Sequence, residues 1–358
     1  MAKRVYLFSE GGKDDRDLLG GKGANLCEMT SLGLPVPYGF VITTPTCREY
    51  FDNGNTLPTL LEQEYRVALD LVEKKMGARF GDPDNPLLFS VRSGAPISMP
   101  GMMNTILNLG INDEIVKGLA ERTGNERFAY DSYRRFIQMF GDVVLDADSH
   151  AYEAIIEEHK NAKAYTADTQ MSADDWRAVI ARFKELADFP EDPFVQLKLA
   201  VEAVFRSWHT PRANVYREMN NIPSSLGTAV TVQSMVFGNF GEDSGSGVAF
   251  TRNPSTGVKE FFGEVLFNAA GEDVVAGIRT PQSLSYLKER QAAVYDELFE
   301  TQALLEKHYR DMQDIEFTIQ EGRFYILQTR AGKRTGSASV RIAVEMVREG
   351  LIDEREAL

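Results

Sequence analysis

Two cysteines in 358 residues, Cys27 and Cys47, are too few for a disulfide framework, and they lack metal-ligand spacing. We read both as reduced core residues of a cytoplasmic protein. Histidine is nearly as scarce. His150, His159, His209 and His308 fall in helical, charged surroundings and read as structural or surface residues. No apolar run approaches the ~20 residues that a membrane-spanning helix needs, so a membrane partner is not expected. The start, MAKRVYLFSEGG, has neither the apolar core of a secretory signal nor the character of a transit peptide. Basic residues are outnumbered 39 to 53, leaving a net charge of −14 that argues against nucleic-acid binding. An acidic chain can still hold a polyphosphate if its cations converge, so the positions of Lys22, Arg92 and Arg330 matter more than the total.

With 43% hydrophobic and 26% charged residues this is an ordinary globular composition. A chain of this length exceeds one compact core and predicts two or three domains or subdomains. No internal repeat or low-complexity tract is visible.

The most informative segment is FSVRSGAPISMPGMMNTILNLG, from Phe89 to Gly110. A strand-like run, Leu87, Leu88, Phe89 and Val91, delivers Arg92 into a Gly/Pro loop that cannot be a helix. A second apolar run follows around Ile106 and Leu107. A cation at a strand end followed by a loop of accessible backbone N–H groups suits a polyphosphate; taken alone, the block also reads as a hairpin with one surface arginine. Gly20-Gly21-Lys22-Gly23-Ala24-Asn25-Leu26 opens a helix after a glycine-rich turn. The helix start favours an anion and Lys22 adds a mobile charge. It lacks the GxxxxGK[ST] spacing of a Walker A motif, and taken alone the block reads better as a plain helix start.

Residues 1 to about 110 alternate strands with helices: a strand over Val36–Thr43, a short helix capped by Thr44, and a long amphipathic helix over Leu60–Phe80. From about Asp113 to Arg217 the pattern is almost wholly helical, with a capping-box start at Ser172 and Pro193 in the first turn of another helix. Strands return at Ala229–Phe237, Gly247–Thr251 and Lys259–Phe267. A helix over Ser283–Tyr309 precedes strands at Asp314–Gln320 and Phe324–Arg330. The run Gly332–Ser339 reads as an exit from the packed domain before a last helix over Val340–Glu349, and IDEREAL reads as the start of a further segment. The expected division is 1–110 for a first lobe with strands near 225–240, 111–220 for a helical subdomain, 221–335 for a second lobe and 336–358 for the start of a linker.

In the final strand pair, Ile315, Phe317 and Ile319 alternate with Asp314, Glu316 and Thr318, so Asp314 and Glu316 share a face. Gln328 and Arg330 share a face of the partner strand. A two-residue Glu321-Gly322 turn would set Glu316 opposite Leu327; a three-residue loop or a bulge would set it opposite Gln328, with Asp314 opposite Arg330. The second register gathers two carboxylates, an amide and a guanidinium, a set suited to Mg²⁺ and phosphate oxygens; the competing reading is two carboxylates on a solvated sheet face. Gln233 could bond an adenine edge or be a satisfied core glutamine. Of Arg134 and Arg135, on a helix over Arg127–Phe140, one is expected to be a plain surface residue. The Gly241–Gly247 loop is expected to be a connector.

Taken in order, GGKGANL, FSVRSGAPISMPGMMNTILNLG, FAYDSYRRFIQMFGDVV, GVAFTRNPSTG, GEDVVAGIRTP and QDIEF…ILQTR closely resemble the N-terminal nucleotide-binding domain of the pyruvate, phosphate dikinase family. The resemblance runs from Val5 to about Glu354. The sister family, phosphoenolpyruvate synthase, shares the GGKxA start and the VRS core but is not expected to carry SMPGMMNTILNLG, and it ranks second. The resemblance implies an α+β, ATP-grasp-like fold: two mixed α/β lobes that clamp ATP and Mg²⁺, with a helical insertion. It implies transfer of the ATP β-phosphoryl to a histidine on a separate phosphohistidine domain of the same full-length chain and of the γ-phosphoryl to inorganic phosphate. The full-length enzyme is expected to be a homodimer.

Residues matching the family's motifs suggest Lys22, Arg92 and Arg330 as the phosphate clamp, and Glu316 and Gln328 as Mg²⁺ ligands. Asp314 supports the metal or nucleotide, the backbone of Gly101 to Met103 closes over the phosphates, and Arg135 is a further phosphate contact. No Gly-rich Ser/Thr-His phosphocarrier segment and no barrel-length segment are present, so the sequence is expected to be a piece of a longer enzyme. A nucleotide-binding module without transfer activity is the alternative from another class, and action on a different acceptor, as in glucan-phosphorylating relatives, is a third.

Overall fold

The computed structural model describes residues 3–99, 101–102, 104–276 and 279–358. The chain divides into two compact units, one made of residues up to Glu28 with Tyr38–Met235, the other of Met29–Pro37 with Val236–Leu358.

The first unit is built on a five-stranded antiparallel sheet. Its strands are β1 (Val5–Leu7), β2 (Gly39–Ile42), β3 (Phe89–Gly94), β4 (Thr105–Leu109) and β5 (Ala229–Ser234), in the order β1-β2-β5-β3-β4. Every residue of the central strand β5 is buried. The unit also holds α1 (Arg16–Ser31), α2 (Thr44–Asp52), α3 (Leu61–Met76), α4 (Ile115–Thr123), α5 (Glu126–Val144), α6 (Ser149–Ala162), α7 (Ala173–Phe183), α8 (Pro193–Ser207) and α9 (Pro211–Met219); α2, α3, α5 and α8 pack on the sheet, and α4, α6 and α7 pack against α5. The helical stretch therefore belongs to the same compact unit as the first lobe.

Local chemistry sets these boundaries. Gly77, in the left-handed conformation, ends α3 before the expected Phe80. The Ser172 hydroxyl accepts from the Asp175 N–H, and the Asp175 carboxylate returns the bond to the Ser172 N–H, a capping box. Pro193 follows the Asp192 cap of α8. The cap of α2 is Thr43 rather than Thr44. The Thr43 and Thr46 hydroxyls bond each other, while the Thr44 hydroxyl donates to the Asp17 carbonyl.

The second unit holds another antiparallel sheet, made of β6 (Gly245–Phe250), β7 (Phe262–Phe267), β8 (Gln282–Ser283), β9 (Gln313–Gln320) and β10 (Arg323–Ala331), in the order β10-β9-β6-β7-β8. It is accompanied by α10 (Gly271–Ala276), α11 (Leu284–Arg290), α12 (Ala292–Tyr309), α13 (Gly336–Arg348) and α14 (Glu354–Ala357). The expected single helix over Ser283–Tyr309 is two helices, broken at Gln291, whose φ of −142° is extended.

The segment after Gly332 is not an exit from the packed unit. Thr335 caps α13 and bonds the carbonyls of Pro254 and Ser255. Ala338, Ile342 and Met346 form a buried cluster with Met312. Arg252, fully buried, donates to Glu306 on α12 and to Glu349 at the end of α13. Both cysteines are buried and unpaired.

Candidate functional site

In the first unit, Gly20 interrupts α1 with φ 69° and ψ 164°, a conformation open only to glycine, and the helix restarts at Gly21. A Cβ on Gly20 would stand 1.7 Å from the Gly94 carbonyl oxygen. The glycine-rich turn therefore lies directly against the end of β3, fastened by the Gly21 N–H, which donates to the Ala95 carbonyl at 2.9 Å. The Cβ of Lys22 lies 3.6 Å from where Gly94 would carry one. The two sequence blocks judged separately as anion-binding thus meet, with Lys22 beside the strand that carries Arg92.

Arg92 is half-buried, opposite Thr105 on β4 and Thr231 on β5, so these three share a face of the sheet. The Thr231 side chain is fully buried. Its hydroxyl has no hydrogen-bond partner among the described residues and lies 3.7 Å from the Cβ position of Gly94. Sequence reading missed Thr231; its only signal was its place two residues before Gln233, on the same face of the strand. Gln233 lies two residues along on the same face, buried, opposite Gly39 and Ser90. Gly101 has φ +70° and is exposed, and the Met102 N–H donates to the Met99 carbonyl at 3.2 Å. Met103 lies outside the described residues.

Neither arginine of the α5 pair is an exposed surface residue. Arg134 is buried, its guanidinium 4.4 Å from the centre of the Trp176 ring, with bonds to Asp131, Gln138 and Asp168. Arg135 is partly buried and its Nε donates to the other oxygen of Asp131 at 3.1 Å. His159 bonds the buried Asp175, as expected of a structural histidine, whereas His150 is exposed.

The second unit resolves the strand register in an unexpected way. The turn is the two-residue Glu321-Gly322, both with positive φ, which joins Gln320 to Arg323 as a tight hairpin. A bulge between Ile326 and Gln328 then shifts the pairing by one residue. Glu316 therefore faces Gln328, and Asp314 faces Arg330. The short turn and the bulge occur together, where the sequence offered them as alternatives.

Arg330 Nε donates to Asp314 Oδ2 at 2.7 Å, and its Nη2 lies 3.5 Å from Glu316 Oε1. Burial pushes the Asp314 carboxyl above its ordinary value, against the opposing pull of the Arg330 hydrogen bond. Among the described residues no group of three or more His, Cys, Asp or Glu could by itself hold a metal ion. The donors present still fit Mg²⁺. Glu316 and the Gln328 amide offer oxygens on one face, and Mg²⁺ takes one or two protein oxygens while keeping water and phosphate oxygens for the rest of its shell. Asp314 is committed to Arg330.

A family model described as "Pyruvate phosphate dikinase, AMP/ATP-binding domain" matches residues 16–71, 55–300 and 291–351. The chain belongs to this family. Over 365 residues it is 54% identical to the pyruvate, phosphate dikinase of Clostridium symbiosum, covering all of this chain and 42% of that protein. A chloroplastic pyruvate, phosphate dikinase from Flaveria trinervia is 55% identical over 366 residues, 99% of this chain and 38% of the relative. The pyruvate, phosphate dikinase of Rhizobium meliloti is 51% identical over 380 residues, all of this chain and 42% of the relative. The chain thus spans about two-fifths of the length of these dikinases, matching their N-terminal part. Among the described residues no helix is long and apolar enough to cross a membrane.

Proposed function

We propose that this chain binds Mg-ATP as the nucleotide-binding part of a pyruvate, phosphate dikinase. In the whole enzyme the β-phosphoryl of ATP passes to a histidine on a separate domain and the γ-phosphoryl to inorganic phosphate, releasing AMP and pyrophosphate. The phosphohistidine then converts pyruvate to phosphoenolpyruvate. The observation that carries the reading is the match of residues 16–351 to the AMP/ATP-binding domain family. The seating of the Gly20-Gly21-Lys22 turn against the Arg92 strand supports it.

In this reading Lys22 and Arg92 neutralise phosphate oxygens, with the Thr231 hydroxyl and the Gly101 backbone near them, and Gln233 contacts the base. Arg330, oriented by Asp314, and Arg135 are further phosphate contacts. Glu316 and Gln328 would hold Mg²⁺, which when bound would supply charge neutralisation to the phosphates. Phosphoryl transfer depends on positioning and charge neutralisation more than on an acid or base, which suits a site without an activated nucleophile of its own. A reducing, cytoplasmic setting and a homodimeric full-length enzyme belong to the same proposal.

Calorimetric titration with Mg-ATP tests it. Binding should weaken by about 10- to 100-fold in Arg92→Ala, which removes a charge-assisted phosphate contact. Glu316→Ala should lower affinity in Mg²⁺ but not in its absence. Adding a separate histidine domain with ATP and phosphate should yield phosphohistidine and pyrophosphate. A folded chain that binds no nucleotide would refute the reading.

A further inference from the structure

Thr231 lies in β5, the central strand of the first unit, and is fully buried. Its hydroxyl has no hydrogen-bond partner among the described residues. Thr228, just before the strand, shows how the chain treats such a group when its task is structural. The Thr228 hydroxyl accepts from the Gly94 N–H at 3.2 Å and donates to the Ala229 carbonyl at 3.0 Å. A hydroxyl left buried and unbonded costs stability, and a valine of the same branched shape would avoid that cost.

The surroundings of the Thr231 hydroxyl say what it is kept for. It lies 3.7 Å from the point where Gly94 would carry a Cβ, and the Lys22 Cβ lies 3.6 Å from the same point. The Leu19 carbonyl oxygen is the third neighbour, at 3.9 Å. These are ordinary contact distances, so the space beside Gly94 would take a methyl group, and the chain places none there. Across the sheet, Thr231 stands opposite Arg92. We propose that Thr231 is a further phosphate-binding residue, whose hydroxyl donates to a phosphate oxygen of the bound nucleotide beside Gly94. Such a bond is charge-assisted, yet its donor adds no charge. The proposal rests on the reading of this end of β3 as the phosphate site and extends it by a neutral donor on the central strand. The hydroxyl gains its partner only on binding, so its loss weakens binding and spares the fold.

The test is calorimetric Mg-ATP titration and thermal melting of Thr231→Val, Thr231→Ser and Gly94→Ala, with Arg92→Ala as the reference for the site. Thr231→Val should bind about tenfold more weakly, the scale of one hydrogen bond to a charged group, and melt at or above the parental temperature. Thr231→Ser keeps the hydroxyl and loses the methyl. It should melt a few degrees lower and stay within about threefold of the parental affinity. Gly94→Ala fills the space and should bind about tenfold more weakly while melting near the parental temperature. Parental affinity in Thr231→Val or Gly94→Ala, while Arg92→Ala is weakened, overturns the inference and leaves the nucleotide reading standing. So does a Thr231→Val chain that melts several degrees lower, because the hydroxyl would then be bonded within the fold. A Thr231→Ser chain as weak as Thr231→Val also overturns it, because shape rather than the hydroxyl would then matter. A folded parental chain that binds no Mg-ATP overturns the nucleotide reading and this inference with it.

Discussion

Gly20→Ala is the sharpest perturbation the structure offers, and Gly21→Ala next to it is its control. At Gly20 the backbone lies at φ 69°, ψ 164°, where an L side chain is strained by about 1–3 kcal/mol. The added Cβ would also fall 1.7 Å from the Gly94 carbonyl oxygen, a backbone atom within β3 that cannot swing aside. Separating the two segments adds an overpacking cost of about 1–3 kcal/mol. It also breaks the bond from the Gly21 N–H to the Ala95 carbonyl, worth about 1 kcal/mol. The combined loss is roughly 3–7 kcal/mol, which for a unit of this size lowers the melting temperature by on the order of 10–20 °C. Lys22 moves with the turn, so Mg-ATP affinity should fall at least tenfold, by about 1.4 kcal/mol or more. At Gly21 the added Cβ would meet the Ala95 and Pro96 carbonyl oxygens at 3.5 and 3.6 Å, ordinary contact, and the residue is not left-handed. Gly21→Ala should change stability by less than about 1 kcal/mol. Differential scanning calorimetry and ATP titration of the two variants read both effects. A Gly20→Ala protein that melts within about 2 °C of Gly21→Ala would show that the close approach of the turn to β3 is wrong.

Three other outcomes follow from the same geometry. Burial pushes the Cys27 and Cys47 thiols up to about 12, so neither should react with a thiol-specific disulfide reagent in the native chain, and both should react after unfolding. Arg252→Met strands Glu306 in the interior and frees Glu349, and should cost about 3–5 kcal/mol in urea unfolding, as removing one partner of a buried pair does. Burial would raise the Asp175 carboxyl, but bonds from His159, Lys163 and Ser172 outweigh it and hold it well below the usual carboxylate range. Its stabilisation is thus present above an unfolded aspartate's value of about 3.9 and is lost as pH falls through the lower folded value; Asp175→Ala should be less stable at pH 7 by about 2–4 kcal/mol and show a smaller further loss below about pH 4.

What the sequence made legible was local. The alternation in Asp314–Gln320 marked a strand with a polar face, and the signals at Ser172 and Pro193 marked helix starts, because each depends on residues within a turn of one another. The sequence offered a bulge in this hairpin as one option but could not choose it or place it between Ile326 and Gln328. The bulge is set by what packs on either side of the sheet, and a period of two is silent about a skipped residue. The anchoring of α13 escaped for the same reason. Arg252 falls just past the strand expected over Gly247–Thr251, and its partners lie 54 and 97 positions later. The meeting of the Gly20 turn with the end of β3 was hidden too, since sequence weighed each block alone and only the fold supplies their contact.

The two units, each taken by itself, handle an arginine in one way. In the first, Asp131 takes the Nε of Arg135; in the second, Asp314 takes the Nε of Arg330. Both aspartates are buried, and both arginines are less buried than the carboxylate that holds them. If these arginines are the phosphate contacts proposed above, a net charge of −14 for the whole chain is no obstacle to them. In each pair the buried carboxylate takes the Nε–H and so restrains a long side chain whose rotamer freedom costs about 2 kcal/mol to freeze. Under the proposed function, such a pairing would lower the formal charge near the phosphates yet order the arginine in advance, so the sign of the whole chain is a poor guide to what its arginines can bind.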